Sequence, residues 1–182
     1  MRALVLKTAP AAEPVSVADF RTHARLDDNG DDDDITAKLV AARQWAEDYT
    51  NRRFINATWT MILDAWPGGA GLVRLPVAPI VSISEVRTLS ADYTSAVVSS
   101  STYRLIHREI VPLSTWPAPG ASIGGIEIDF VAGYGDAAAA VPYAIRQAIL
   151  KVAAHQYENR EAAIDAQVAR RELSPYRLLE LT

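Results

Sequence analysis

Residues 35–52, ITAKLVAARQWAEDYTNR, and residues 142–157, PYAIRQAILKVAAHQY, decide how the rest of the chain is read. In the first, Ile35, Leu39, Ala42, Ala46 and Tyr49 step by fours and threes, which is one face of an amphipathic helix. In the second, Pro142 suits the first helical position. Ile145, Ala148, Ile149, Val152 and Ala153, followed by Gln156 or Tyr157, form a continuous apolar stripe there. The two stripes are of similar length and contain small residues that permit close approach, so they are predicted to pack on each other. Arg43 with Glu47 and Asp48 with Arg52 are expected as exposed i,i+4 pairs.

Working outward from Ile35, Ser16 with Asp19 three positions later gives a capping box for a short helix reaching about Leu26. Between the helices lies the run Asp27-Asp28-Asn29-Gly30-Asp31-Asp32-Asp33-Asp34. It does not fit a calcium loop: with Gly30 at the sixth position, Arg25 and Thr36 would stand at the first and twelfth ligand positions. The expectation is that Asp33 or Asp34 caps a helix over 34–52, with the other carboxylates favouring its positive end. Beyond Tyr157, helical character is expected to resume from Glu161 to Glu172, giving helical structure over about 142–172. It stops at Ser174-Pro175, before the short apolar tail Tyr176-Arg177-Leu178-Leu179-Glu180-Leu181.

From Ile55 to Ala132 the period changes to two. Trp59, Met61, Leu63 and Ala65 alternate with Thr58, Thr60, Ile62 and Asp64, the pattern of a strand with one covered face. Leu72–Leu75 reads as a short strand after the turn at 67–71. In Ile80–Leu89 the alternation loses phase after Ile83, which predicts a bulge near Ser84. Tyr103–Ile106 and Ile110–Leu113 are expected as a hairpin, and Ile126, Ile128 and Phe130 mark a last strand ended by Gly133-Tyr134-Gly135. The fold class is therefore α+β: a helical core, with helices near 16–26, 34–52 and 142–172, and an inserted, mainly antiparallel β region. Residues 1–15 are read as an N-terminal segment. Residues 16–182 form a single domain with a β elaboration at about 55–132 and a tail at about 174–182.

Composition narrows the chemistry. The 182 residues include no cysteine, which removes disulfide frameworks, thiolate metal sites and cysteine nucleophiles. A chain near this length buries roughly 70% of its extended surface, so a packed core can hold it. A net charge of −4 lacks the basic excess of a protein that grips duplex DNA. No apolar run approaches the roughly 18 residues of a membrane span, and residues 1–14 lack the core of a signal peptide, so an intracellular protein is expected.

His23, His107 and His155 have no metal-ligand spacing, and the glycines fit neither phosphate-binding pattern. No nucleophile elbow occurs around Ser99-Ser100-Ser101. Trp59, Trp66 and Trp116 with Tyr93 and Tyr103 lack interleaved basic residues, so they are assigned to packing rather than to base stacking. No catalytic residue, metal or cofactor is expected. The tail stands apart, because leucines at a chain end must dock either on their own core or on a partner.

Several blocks, in order, resemble the head-to-tail connector (adaptor) proteins of tailed bacteriophages and phage-like gene-transfer particles. They are Ala41-Ala42-Arg43 through Tyr49-Thr50-Asn51-Arg52, Thr58-Trp59 with Leu63-Asp64, and Leu75-Pro76-Val77-Ala78-Pro79-Ile80 with Val86. Gly133-Tyr134-Gly135, Val141-Pro142, Ala148-Ile149, Tyr157-Glu158-Asn159-Arg160-Glu161 and Leu173-Ser174-Pro175-Tyr176-Arg177 continue the match, which spans about residues 16–177.

The resemblance implies a structural virion protein without a reaction. Such a protein forms a ring under the portal, joins the DNA-filled head to the tail, and offers a platform to the next tail or stopper component. It implies self-association in the ring, no sequence-specific nucleic acid contact and no membrane. Location would be the head-to-tail interface of the virion, with the host cytoplasm as the place of assembly. Portal docking is expected through Pro175, Tyr176, Arg177, Leu178, Leu179 and Leu181, with that segment mobile in the free chain. The alternatives are a tail-completion or neck protein of the same particle, or a small cytoplasmic enzyme without a recognisable motif.

Overall fold

The structure is a computed structural model that describes residues 1–27, 30–159 and 167–178. Helices and antiparallel sheets coexist, an α+β fold. The chain groups into two compact units, one of Met1–Pro10 with Asn56–Gly133 and one of Ala11–Ile55 with Tyr134–Thr182.

The second unit is helical, with α1 (Val17–Ala24), α2 (Asp32–Thr50), α3 (Tyr143–Glu158) and α4 (Gln167–Leu173). At α1 the capping box forms as expected: the Asp19 N–H donates to Ser16 Oγ at 3.1 Å, and the Ser16 N–H donates to Asp19 Oδ2 at 3.0 Å. α2 starts earlier than expected, with Asp31 rather than Asp33 or Asp34 at the N-cap and no side-chain cap bond. The carboxylates are engaged elsewhere. Asp31 accepts from the Tyr157 hydroxyl, Asp32 pairs with Arg21, and Asp34 pairs with Lys38 at 3.0 Å.

Ile35, Leu39, Ala42 and Ala46 of α2 and Ile145, Ala148, Ile149, Val152 and Ala153 of α3 are buried in one cluster, which also takes in Phe20, Ala169 and Leu173. The alanines on both stripes are what allow the two helix backbones to approach. Asn159, at φ −121° and ψ 71°, ends α3, so the region 142–172 is not one continuous helix. Residues 161–166 of the expected helix lie outside the described residues.

The first unit is a β unit. Its five-stranded sheet has the order β1 (Ala3–Thr8), β2 (Ala57–Leu63), β8 (Ile126–Ala132), β4 (Ile80–Leu89), β5 (Ser95–Val97), and every pair is antiparallel. A second sheet has the order β3 (Val73–Arg74), β7 (Glu109–Pro112), β6 (Tyr103–Ile106). The expected bulge is present, since the β4–β8 register shifts between Ile83 and Glu85, with a further shift between Ile80 and Ser82. β1 and β5 were not expected from the sequence. Met61, Val86, Ile126, Ile128 and Phe130 anchor the core under the larger sheet. At the end of β8, a Cβ on Gly133 would stand 2.4 Å from the Asn56 backbone nitrogen, so only glycine fits that approach.

Candidate functional site

Of the residues expected to dock on a partner, Pro175, Tyr176, Arg177 and Leu178 are described; Leu179 and Leu181 lie outside the described residues. The described ones do not hang free. Ser174–Tyr176 forms one 3₁₀ turn directly after α4. The Leu178 N–H donates to the Thr50 carbonyl at 2.9 Å, and Arg52 Nε donates to the Tyr176 carbonyl at 2.5 Å. The Arg177 guanidinium lies 5.6 Å from the centre of the Tyr49 ring, which stacks in turn on Trp45 at 5.6 Å. Tyr176 packs half-buried against the helical core. The root of the tail is thus pinned to the C-terminal end of α2, whose last carbonyls have no helical partners and can accept such bonds.

Sequence reasoning missed these anchors because it paired Arg52 with Asp48. In the structure Arg53 stands 3.9 Å from Asp48, while Arg52 turns to Tyr176. Burial raises the Tyr134 hydroxyl above its ordinary pKa, against the lowering effect of the neighbouring Arg52.

What holds the end of α2 in place is a buried ion cluster. Arg43 and Glu47 are only 9% and 7% exposed, contrary to their expected place on the solvent face. Arg43 donates to Glu13 at 2.7 Å and to Glu47 at 2.9 Å. Glu47 Oε1 also accepts the Phe54 N–H at 2.8 Å, which clamps the chain as it leaves the helix through Asn51 at φ +53°. Burial pushes the Glu47 carboxyl up, opposed by the Phe54 N–H and by Arg43.

A second charged network lies on the outer face of the larger sheet. Asp129, 2% exposed, receives Lys7 at 2.5 Å, Thr60 at 2.6 Å and Arg87 at 3.0 Å, while Arg87 also binds Glu85 and Glu127. Burial alone would raise the Asp129 pKa, but the bonds from Lys7, Thr60 and Arg87 outweigh it and hold the carboxyl below the usual range. Both networks are internally satisfied, and neither presents a nucleophile or an open base.

Among the described residues no three His, Asp or Glu gather as metal ligands, and no described helix is long and apolar enough to cross a membrane. Trp66 and Trp116 stack at 4.1 Å with Tyr103 beside them, and their indole N–H groups donate to Pro117 and Gly71 carbonyls. Those rings lock loops. An open cavity of about 360 Å³ beside α1 and the start of α3 is lined by Asp19, Thr22, His23, Tyr143 and Arg146 among others. Asp19 is already committed to the cap of α1 and Thr22 to the Ala18 carbonyl.

The model of the Phage gp6-like head-tail connector protein family matches residues 14–110. Solved structures match nearly the whole chain. A component of the virion of a native gene transfer agent particle is 28% identical, with a TM-score of 0.86, covering 98% of this chain and 97% of that one. Components of the neck of an empty gene transfer agent particle, computed with C6 symmetry, and of the neck of the native particle, computed with C12 symmetry, are each 28% identical. Their TM-scores are 0.85 and 0.84, and each match covers 99% of this chain and 97% of the other. No curated protein matches the chain.

Proposed function

The chain belongs to the Phage gp6-like head-tail connector protein family, a family of structural proteins and not of enzymes, and from that membership we propose that it forms a ring under the portal of a phage-like particle. The observation that carries this reading is the match of almost the full chain to components of gene transfer agent necks at TM-scores of 0.84 and 0.85, and to a component of the virion at 0.86. The symmetry of those necks supports self-association in a closed ring, in which each copy uses two different faces. In this reading residues 16–182 act as one connector body, the 55–132 region is its elaboration, and the next tail or stopper component binds the finished ring. A mildly acidic chain suits a channel that lets DNA pass without gripping it. Assembly would take place in the host cytoplasm, before the particle leaves.

The portal contact is assigned to Pro175, Tyr176, Arg177, Leu178, Leu179 and Leu181. Support comes from the exposed Arg177, whose guanidinium is held over Tyr49 with donors left for a carboxylate on the portal. Because Leu178 is bonded to Thr50 and Tyr176 to Arg52, the docking segment is presented from a fixed root rather than from a loose one.

The test is to mix the purified chain with portal-bearing, tailless capsids and image the portal vertex. A ring of density at that vertex is expected for the full chain and for Arg53→Ala, but not for a chain lacking residues 175–182. Full occupancy by the truncated chain removes the tail from the portal contact. Absence of binding by the intact chain removes the connector position itself.

A further inference from the structure

The larger sheet ends in two different strands, β1 and β5, and among the described residues nothing pairs with the outer edge of either. Five strands antiparallel throughout leave β1 and β5 running in the same direction. Their level is also fixed. Ala3 pairs with Ile62, Ile62 with Glu127, Glu127 with Arg87, and Arg87 with Val97, so Ala3 and Val97 share one row across the sheet. Side chains in one row share a face, as does Val5 two residues on. On that face Val97 is 65% exposed and Val5 47% exposed.

Sheet edges that face solvent are normally blunted by charge, proline or a bulge. Ser95, Ala96 and Val97 carry no charge, proline or bulge and all three are exposed, so the shortness of β5 is the one guard on that edge. On β1 the stretch Ala3–Leu6 has no charge, proline or bulge either; Lys7 and the register shift between Leu6 and Thr8 protect only its far end. Charge is arranged to match. Arg2, which pairs within the copy with the exposed Asp64 at 3.3 Å, precedes β1, and Asp92, whose carboxylate also accepts from Ser90 and Thr94, lies in the exposed turn just before β5, at the same end of the sheet.

We propose that the β5 edge of one copy pairs in parallel with the β1 edge of the next, so that the larger sheet runs on from subunit to subunit around the ring. The proposal rests on the ring reading above. A contact between unlike edges leaves β5 of the second copy free for a third, as a closed ring requires, whereas β1 against β1 would stop at a two-fold dimer. A rotation that extends the sheet preserves strand direction, which makes the new pairing parallel. It also brings Asp92 of one copy towards Arg2 of the next. With three residues in β5 the contact supplies about three backbone hydrogen bonds, few enough that isolated pairs come apart and closure of the ring holds them.

The absence of cysteine makes the test clean. The double variant Ala3→Cys/Val97→Cys, assembled on portal-bearing capsids and treated with a short thiol-to-thiol linker, should give a denaturing-gel ladder from dimer upward. Each single variant should stay at monomer. Val97→Lys, which alters only an exposed edge, should keep the wild-type melting temperature and lose ring formation by about tenfold. Complete rings without a ladder, or rings formed normally by Val97→Lys, overturn the edge pairing while leaving the ring reading intact. A cross-linked dimer from Ala3→Cys alone overturns it in favour of β1 against β1. If the wild-type chain forms no ring on capsids or in concentrated solution, the ring reading fails and takes this proposal with it.

Discussion

Replacing Glu47 with alanine is the sharpest test of how the end of α2 is built. The substitution removes the acceptor of the Phe54 N–H at 2.8 Å and one of the two carboxylates on the buried Arg43. A buried donor left without a partner costs about 1–3 kcal/mol. Breaking a buried ion pair costs roughly 3–5 kcal/mol when the remaining charge is stranded. Here Glu13 still neutralises Arg43 at 2.7 Å, so the charge is not stranded and the pair contributes less than that range, about 1–2 kcal/mol. With about 2 kcal/mol for the unpaired donor, the sum comes to about 3–4 kcal/mol. For a protein of this size that is a fall of about 6–16 °C in melting temperature.

The assay is thermal and urea unfolding followed by far-ultraviolet circular dichroism, which reports the helical unit. Glu47→Gln keeps an acceptor for Phe54 and should lose only about half as much. Arg43→Met with Glu47→Leu removes both charges of the buried pair, so its remaining cost should be the unpaired Phe54 N–H, about 1–3 kcal/mol. If Glu47→Ala costs less than about 1 kcal/mol, or if the glutamine variant is as damaged as the alanine variant, the clamp on Phe54 is not what holds this end.

Removing residues 175–182 should lower the melting temperature measurably more than removing 179–182, because only the longer deletion takes away the bonds to Thr50 and Arg52; calorimetry on both truncations reads the difference. Ile149→Asp places a charge among fully buried side chains of the helical core and should cost several kcal/mol, or about 4 at least, read from urea midpoints. The depressed Asp129 pKa gives stability that is complete above the unfolded value near 3.9 and is lost as pH falls through the lower folded value, so acid unfolding should begin below about pH 4 and Asp129→Asn should flatten that dependence. Gly133→Ala should destabilise the end of β8, since its Cβ would stand 2.4 Å from the Asn56 nitrogen; amide exchange at Asn56 reads it.

Local pattern carried a great deal of this fold. The Ser16–Asp19 cap, the two facing apolar stripes and the bulge at Ser84 are each written in residues at most a few positions apart, and each formed as expected. What escaped was set by distant partners. β1 lacks the apolar–polar alternation that marks β2, since Ala3 to Leu6 are all apolar, and it becomes a strand because β2, brought from Ala57–Leu63, offers it an edge. Arg43 and Glu47 have the spacing of a surface pair, and only the arrival of Glu13 and the Phe54 N–H makes their burial affordable.

The tail shows most clearly why a site can be half legible. Its composition says that Tyr176 and Leu178 need apolar neighbours, but the groups that receive them, the Thr50 carbonyl and the Arg52 guanidinium, lie more than a hundred residues earlier. Arg52 could bond Asp48 one turn back or the Tyr176 carbonyl. The choice follows from geometry: left-handed Asn51 turns the chain out of the helix just before Arg52, which breaks the i,i+4 alignment that a pair with Asp48 would use. An Asn51→Gly variant preserves that turn and should keep the tail root bonded. Asn51→Val, which resists positive φ, should release it, seen as loss of amide protection at Leu178. Protection that survives in Asn51→Val would show that the Leu178 bond to Thr50 does not depend on the left-handed turn at Asn51.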